Sequence, residues 1–349
     1  MTVAPATKAG GGRRYALLLA LNDSEYARKA HGGYGKVFVG ALRSSAEDTW
    51  DCYRVIDGEF PAAEELELYD GFVVSGSPHD AHGDGAPCWV RRLCLLLQTV
   101  HAMGKRVLGV CFGHQALCRA LGGKVGRATG GWVVGVKEVT FVEDVEGFEF
   151  LEEGISRRRS ASIIEVHQDE VWEVPPGGKV LAYSDKTRVE MFAVGDNALG
   201  IQGHPEYTND ILLNLIGRLV NDGTVDGCAG EAARRTAESG GPDREFWTGL
   251  CKGFLMGGGA AVAASTGLTI TTKKRGNRSE LVEQQHGADA GSRGSARESS
   301  HPAGRRRAAG PPKKSFQAPP LAARTPAPEL SCCHRVACFP AAASGPIGL

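Results

Sequence analysis

No two of the ten cysteines stand in a Cys-x-x-Cys pair, so the ligand spacing of a zinc ribbon or finger is missing and no metal is expected. No apolar run reaches the roughly 20 residues that a membrane-spanning helix needs. The longest near the N-terminus, residues 16–21, follows Arg13-Arg14 and leads into Asn22-Asp23 without a small-residue cleavage site. That argues against both a spanning helix and a signal peptide. Cysteines without a secretory signal are expected to stay reduced, which points to the cytosol. There is also no Gly-x-x-x-x-Gly-Lys-Ser/Thr loop to cradle a nucleotide triphosphate, so an ATP-driven synthetase would have to be another chain.

There is no net charge either, but the balance hides an asymmetry. After Gly257 the chain holds thirteen Lys and Arg against five Asp and Glu, a net of +8; residues 1–257 hold 27 against 35, a net of −8. Beyond about residue 257, Ala, Gly, Ser, Pro and Arg dominate and no period survives. A segment of that composition cannot bury enough apolar surface to offset chain entropy, so 257–349 is expected to be a disordered, low-complexity basic tail. Residues 1–12 are expected to be a flexible N-terminus. Arg305-Arg306-Arg307 and Pro311-Pro312-Lys313-Lys314 offer a nuclear address or a nucleic-acid patch. A solvated extension without function is the simpler reading, and no nucleic-acid partner is expected.

Between these ends, residues 13–256 alternate strand and helix patterns. Strands are expected over 15–21, 50–56, 71–74, 106–110, 133–142, 162–166, 179–184, 189–194 and 199–202. Helices are expected over 36–41, 89–103, 115–121, 210–219 and 245–255; Val90, Leu93, Cys94 and Leu97 carry the helical spacing in the second of these. Alternating βα units imply an α/β fold, a mainly parallel sheet with helices on both faces. Sites in such sheets gather at the carboxyl ends of strands. Cys52, Cys88, Cys94, Cys118, Cys228 and Cys251 read as core or satellite residues, and Trp89 and Trp172 as packing anchors.

One cysteine differs from the rest. The run Gly109-Val110-Cys111-Phe112-Gly113-His114-Gln115 places glycine two residues before and two after a sulfur, between an apolar stretch and an amphipathic one. That is the pattern of a nucleophile elbow, where a strand turns sharply into a helix beneath the reactive atom. Small flanking residues are needed because the elbow backbone is strained and crowded. The helix N-terminus favours the thiolate. Alone, Cys111 would read as a buried strand-end residue; a second motif strengthens the case.

That motif is Gly203-His204-Pro205-Glu206. A thiol needs a base, and the base needs a group to orient it. In an extended segment residues i and i+2 point the same way, and Pro205 biases His204 away from helix. Glu206 is therefore expected to hold the ring of His204. A third piece, the turn-forming loop Ser75-Gly76-Ser77-Pro78 after a strand, offers backbone N–H donors for an oxyanion, together with the amide of Phe112. Whether Gly76 or Ser77 supplies the loop's donor stays open.

Together these segments resemble a class I glutamine amidotransferase domain. Gly32-Gly33-Tyr34, residues 55–61, 75–81, 167–171 and 189–192 resemble the plant gamma-glutamyl peptidases within it. The resemblance implies a flavodoxin-like sheet over 13–256 and no cofactor. It also implies a cytosolic hydrolase whose small-molecule partner is a γ-glutamyl substrate, namely a glutathione conjugate. It places His167, Gln168 and Asp169 beside the glutamyl group, where the residues alone read as a polar loop. Gln115 either bonds that group or caps the elbow helix. The expected chemistry is attack by Cys111, with His204 as base and acid and a glutamyl thioester intermediate. Two alternatives stand beside it: a glutaminase subunit that delivers ammonia to a separate synthetase, and a non-catalytic binding module of the same fold. Oligomeric state is not legible.

Overall fold

The computed structural model describes residues 12–83, 86–143 and 158–257. Apart from Gly12 and Gly257, the expected flexible N-terminus and basic tail lie outside the described residues. The strands are β1 (Arg14–Leu18), β2 (Thr49–Tyr53), β3 (Gly71–Val74), β4 (Arg106–Val110), β5 (Lys124–Arg127), β6 (Val133–Phe141), β7 (Ser160–His167), β8 (Asp169–Glu173), β9 (Gly178–Tyr183), β10 (Met191–Val194) and β11 (Ala198–Ile201). The helices are α1 (Tyr34–Leu42), α2 (Cys88–Ala102), α3 (Phe112–Ala120), α4 (Asn209–Asn221), α5 (Gly227–Ser239) and α6 (Arg244–Met256).

Every residue of β3 and β11 is buried. Continuous apolar runs of this kind suit strands covered by helices on both faces. They lie in a nine-stranded sheet of order β2-β1-β3-β4-β11-β10-β9-β6-β7. The first five strands are all parallel. Their order is the flavodoxin-like one, with the last strand of the chain in fifth place. The other four extend the sheet antiparallel, and β5 pairs with β8 apart from it.

Alternation along the strands splits the core in two. Leu17, Val73, Leu108 and Val110 pack with Phe38 and Leu42 of α1 and Trp247 and Phe254 of α6. Ala16, Leu18, Phe72, Val74 and Val107 pack on the other face with Leu93 and Leu97 of α2 and Phe112 and Leu117 of α3. Each large side chain so buried contributes about 1.5–3 kcal/mol. A third cluster joins α4 and α5 to Tyr34, Ile164 and Tyr207. No helix among the described residues is long and apolar enough to cross a membrane.

Several expectations need correction. The strand expected over 50–56 stops at Tyr53 and gives way to a 3-10 turn at Val55–Asp57, closed by Gly58 at φ 85°. The polar loop expected at 167–170 is instead the end of β7 and the start of β8, because pairing with β5 overrides the local polarity. Helix α5 has no counterpart in the sequence reading. Its buried face is Gly230, Ala233 and Ala237, small residues in place of the large apolar ones that mark a helix in the sequence. A Cβ on Gly230 would run into Val220 of α4, so the close approach itself demands the weak signal. Asp226 caps α5 by accepting from the Ala229 N–H. Cys52, Cys88 and Cys228 are exposed rather than packed. Trp172 is also exposed, lying flat on Gly126, whereas Trp89 packs against Phe112 as expected.

Candidate active site

β4 ends at Val110 and α3 begins at Phe112, leaving a single residue for the turn. That residue, Cys111, has φ 53° and is the only non-glycine with positive φ among the described residues. Such a backbone costs on the order of 1–3 kcal/mol and persists only where its surroundings enforce it. Its N–H donates to Ile201 O at 2.9 Å, and its carbonyl accepts the Gln115 N–H at 3.1 Å. Cys111 thus belongs to both the β4–β11 ladder and the first turn of α3. The flanking glycines are steric requirements: a Cβ on Gly109 would run into the Gly113 carbonyl, and one on Gly113 into the Val74 carbonyl. The result is a strained cysteine, 6% exposed, at the carboxyl end of a parallel strand.

β11 runs beside β4, with Leu199 opposite Leu108 and Ile201 opposite Val110. That register carries the chain three residues on to His204. The segment is not an extended strand; His204 makes one bridge to β7, its N–H donating to Ile164 O at 2.8 Å, and the chain then turns. The expected pairing survives the change, with His204 Nδ1 2.8 Å from Glu206 Oε1. The other side of the ring faces Cys111: a Cβ on Gly76 would lie 3.7 Å from both His204 Nε2 and Cys111 Cβ, while the Cys111 thiol itself donates to Val166 O at 3.9 Å. Tyr207 stacks on the ring at 4.1 Å between centroids, and Arg244 of α6 donates to the Glu206 carbonyl at 3.2 Å. Burial disfavours the imidazolium, but the Glu206 carboxylate and the Cys111 sulfur outweigh it and raise His204 to about 10. A cationic imidazole beside a sulfur is the partner that a thiolate needs. Cys118, two turns along α3, is the contrast: burial pushes its thiol up to about 12, and it donates to the Glu173 carbonyl.

The loop after β3 completes the arrangement. Ser75 Oγ accepts from the Ala20 N–H at 2.8 Å and donates to the Gly76 carbonyl at 3.0 Å, which ties the loop to the end of β1. Gly76 presses so closely on the base that a Cβ there would lie 2.9 Å from His204 Cε1. Among the described residues no acceptor takes the N–H of Gly76, Ser77 or Phe112. The Phe112 amide is one of the orphan donors of a helix start. Gly76, Ser77, Cys111 and His204 line a cavity of about 180 Å³ together with Leu21, Tyr34, Trp132, Tyr207, Leu215, Arg218 and Leu219.

Gln115, His167, Gln168 and Asp169 do not line that cavity. The side-chain amide of Gln115 donates to Asp169 O at 2.8 Å and Gln202 Oε1 at 3.1 Å, bracing α3 against β8 rather than capping the helix. Gln168 Oε1 accepts from Arg127, and the Asp169 carboxylate pairs with Arg127 at 3.2 Å. His167 is buried, with Nδ1 on Asp169 O at 3.0 Å and Nε2 3.4 Å from Glu165 Oε2; burial holds it down at about 4. β7 pairs with β6 at His167 and β8 with β5 at Asp169, while the neighbouring Val166 carbonyl stays at the thiol, accepting from Cys111 Sγ at 3.9 Å. Glu165, His167 and Glu190 form a buried group whose donor atoms lie within 4.8 Å of one another, close enough to hold a metal ion. Burial, then the charges of Glu190 and Cys111, hold Glu165 well above the usual carboxylate range, and burial lifts Glu190 to about 7. Two carboxylates only accept, so their contact becomes a hydrogen bond once Glu165 carries the proton. That proton also keeps a fixed negative charge away from the sulfur. A second, more exposed group is Asp80, His82 and Asp169.

Sequence reasoning missed Leu215 and Arg218, on a helix read for its pattern alone, and Trp132, which lies just before β6 and outside any expected element. Tyr207 adjoins the histidine motif, but nothing in the sequence marks it as a stacking partner.

Residues 50–211 match the family described as glutamine amidotransferase class-I. Gamma-glutamyl peptidase 5 of Arabidopsis thaliana is 48% identical over 247 residues, 70% of this chain and 96% of that protein. Gamma-glutamyl peptidase 3 of the same plant is 44% identical over 245 residues, 70% of this chain and 97% of that protein. The crystal structure of a glutamine amidotransferase from Thermotoga maritima superposes with a TM-score of 0.52 at 21% identity, covering 69% of this chain and 96% of that one, a likeness of fold.

Proposed function

This chain belongs to the class I glutamine amidotransferase family, and we propose that it is the hydrolase of the gamma-glutamyl peptidase kind, cleaving the γ-glutamyl bond of glutathione conjugates through a thioester on Cys111. The observation that carries the reading is that Cys111 and a His204 held by Glu206 line one cavity, beside backbone N–H groups that have no acceptor among the described residues. The thiolate of Cys111 attacks the γ-carbonyl. The amides of Phe112 and of Gly76 or Ser77 receive the oxyanion. His204, charged in the resting site and held by Glu206, gives its proton to the leaving amine. Water, deprotonated by the same imidazole, then hydrolyses the thioester. The apolar wall beyond His204 favours a bulky amine over the ammonia that glutamine would release.

Cys111→Ala tests this directly. The variant is expected to lose γ-glutamyl hydrolysis, measured as glutamate released from S-hexylglutathione, while its thermal unfolding midpoint changes little. Release at the wild-type rate refutes the assignment. A strong preference for glutamine over the conjugate in the wild type would instead favour the glutaminase reading.

A further inference from the structure

We propose that Arg218 anchors a carboxylate on the leaving amine, so that the cavity accepts γ-glutamyl amides whose amine part is apolar near the scissile bond and anionic at its far end. The proposal rests on the peptidase reading above and assigns the half of the site that the thiol chemistry does not use. Arg218 sits in the last turn of α4. It is the one cationic side chain, His204 apart, among the residues lining the cavity, and no Asp or Glu lines it. Among the described residues its guanidinium makes no ion pair or side-chain hydrogen bond. Of the nearby carboxylates, Asp222 accepts from the Thr224 N–H at 3.0 Å and feels the Arg218 charge without a hydrogen bond to it, and Glu25, in the adjoining groove, pairs with Lys29 at 2.6 Å. A guanidinium whose donors hold no carboxylate, lining a cavity without acids, recognises an anion, and its planar fork suits a carboxylate.

The direction of the cavity decides which carboxylate. The glutamyl group stays on Cys111 after acylation, whereas the leaving amine must lie against His204, which protonates it. Beyond the imidazole comes Tyr207, stacked on it at 4.1 Å, and the charge of Arg218 acts on the Tyr207 hydroxyl. Arg218 therefore lies on the leaving-group side. In the same cavity Tyr34, Trp132, Leu215 and Leu219 offer apolar surface for a substituent. An S-substituted cysteinyl dipeptide has this order of groups: amine, apolar thioether, terminal carboxylate.

The test is steady-state kinetics of the full chain on three probes: S-hexylglutathione, the same compound with its C-terminal carboxylate amidated, and γ-glutamyl-p-nitroanilide. All three share the glutamyl head group, and only the first carries a carboxylate on its leaving amine. Arg218→Gln is expected to raise KM for S-hexylglutathione on the order of 10- to 100-fold with kcat nearly unchanged, the signature of lost uniform binding. The other two probes should be unaffected, and Arg218→Lys should recover part of the loss. An equal loss on all three probes would place Arg218 on the glutamyl carboxylate or in the scaffold and overturn the proposal. So would no change on any of them. If the wild type turns over none of the three, it is the peptidase reading that falls, and the subsite with it; turnover without discrimination sinks the subsite alone.

Discussion

At the scale of single residues the site is governed by what can fit beside His204. A methyl at position 76 would lie 2.9 Å from its Cε1, against a ring already fixed by Glu206 and Tyr207. Gly76→Ala is therefore expected to push the imidazole off the thiol and lower kcat/KM about 100-fold, with little change in thermal stability. Wild-type kinetics in a folded Gly76→Ala protein would refute it. Glu206 acts through charge. Burial lowers the affinity of His204 for its proton; the Glu206 carboxylate is the strongest influence raising it, to about 10. In Glu206→Gln the alkaline limb of kcat/KM should move to lower pH and the maximum should fall. A limb that stays where the wild type has it would show that Glu206 does not hold the charge. The raised His204 also stabilises the fold, fully below its ordinary value near 6.5 and less as pH rises through about 10. Cys111, His204 and Glu206 were legible because each sits in a short motif whose spacing is set by local geometry. Arg218 and Trp132 were not, because nothing near them in the chain marks the cavity that they share.

At the scale of elements, α3 reaches the thiol only because it lies unusually close to β3. A Cβ on Gly113 would meet the Val74 carbonyl, a backbone atom with no freedom to yield. Gly113→Ala is expected to destabilise the protein by about 1–3 kcal/mol, read as a fall in the thermal midpoint, and to lower activity as well. An unchanged midpoint would mean that the helix can shift without loss. The same close approach explains what local pattern revealed and what it hid. The parallel strands and α2 announce themselves by apolar runs and helical spacing. α5 approaches α4 through Gly230, and its buried face of glycine and alanine holds no large apolar residue to read. β8 looks polar because Asp169 finds its partner in a distant segment, Arg127 of β5.

At the scale of the whole molecule, every residue assigned to the chemistry lies between 76 and 218, and the excess of acidic charge lies in residues 1–257. Truncation after Gly257 is expected to leave kcat/KM unchanged. It should shift the protein from near-neutral to a net charge of −8, seen as later elution from an anion exchanger. A loss of activity greater than tenfold would show that residues 258–349 serve the site. The amino-acid sequence by itself pointed to Cys111, His204 and Glu206 as candidates, to the glycines around them and to the alternation of strand and helix, because these show in motifs and periods only a few residues long. Only the tertiary structure decided that β11, last in sequence, lies against β4 and brings the imidazole to the thiol. It also decided that His167 ends β7, that Asp169 opens β8 against Arg127, and that Arg218 lines the cavity. Those outcomes depend on pairing between segments tens of residues apart, and no local period records which partner a strand or a charge will find.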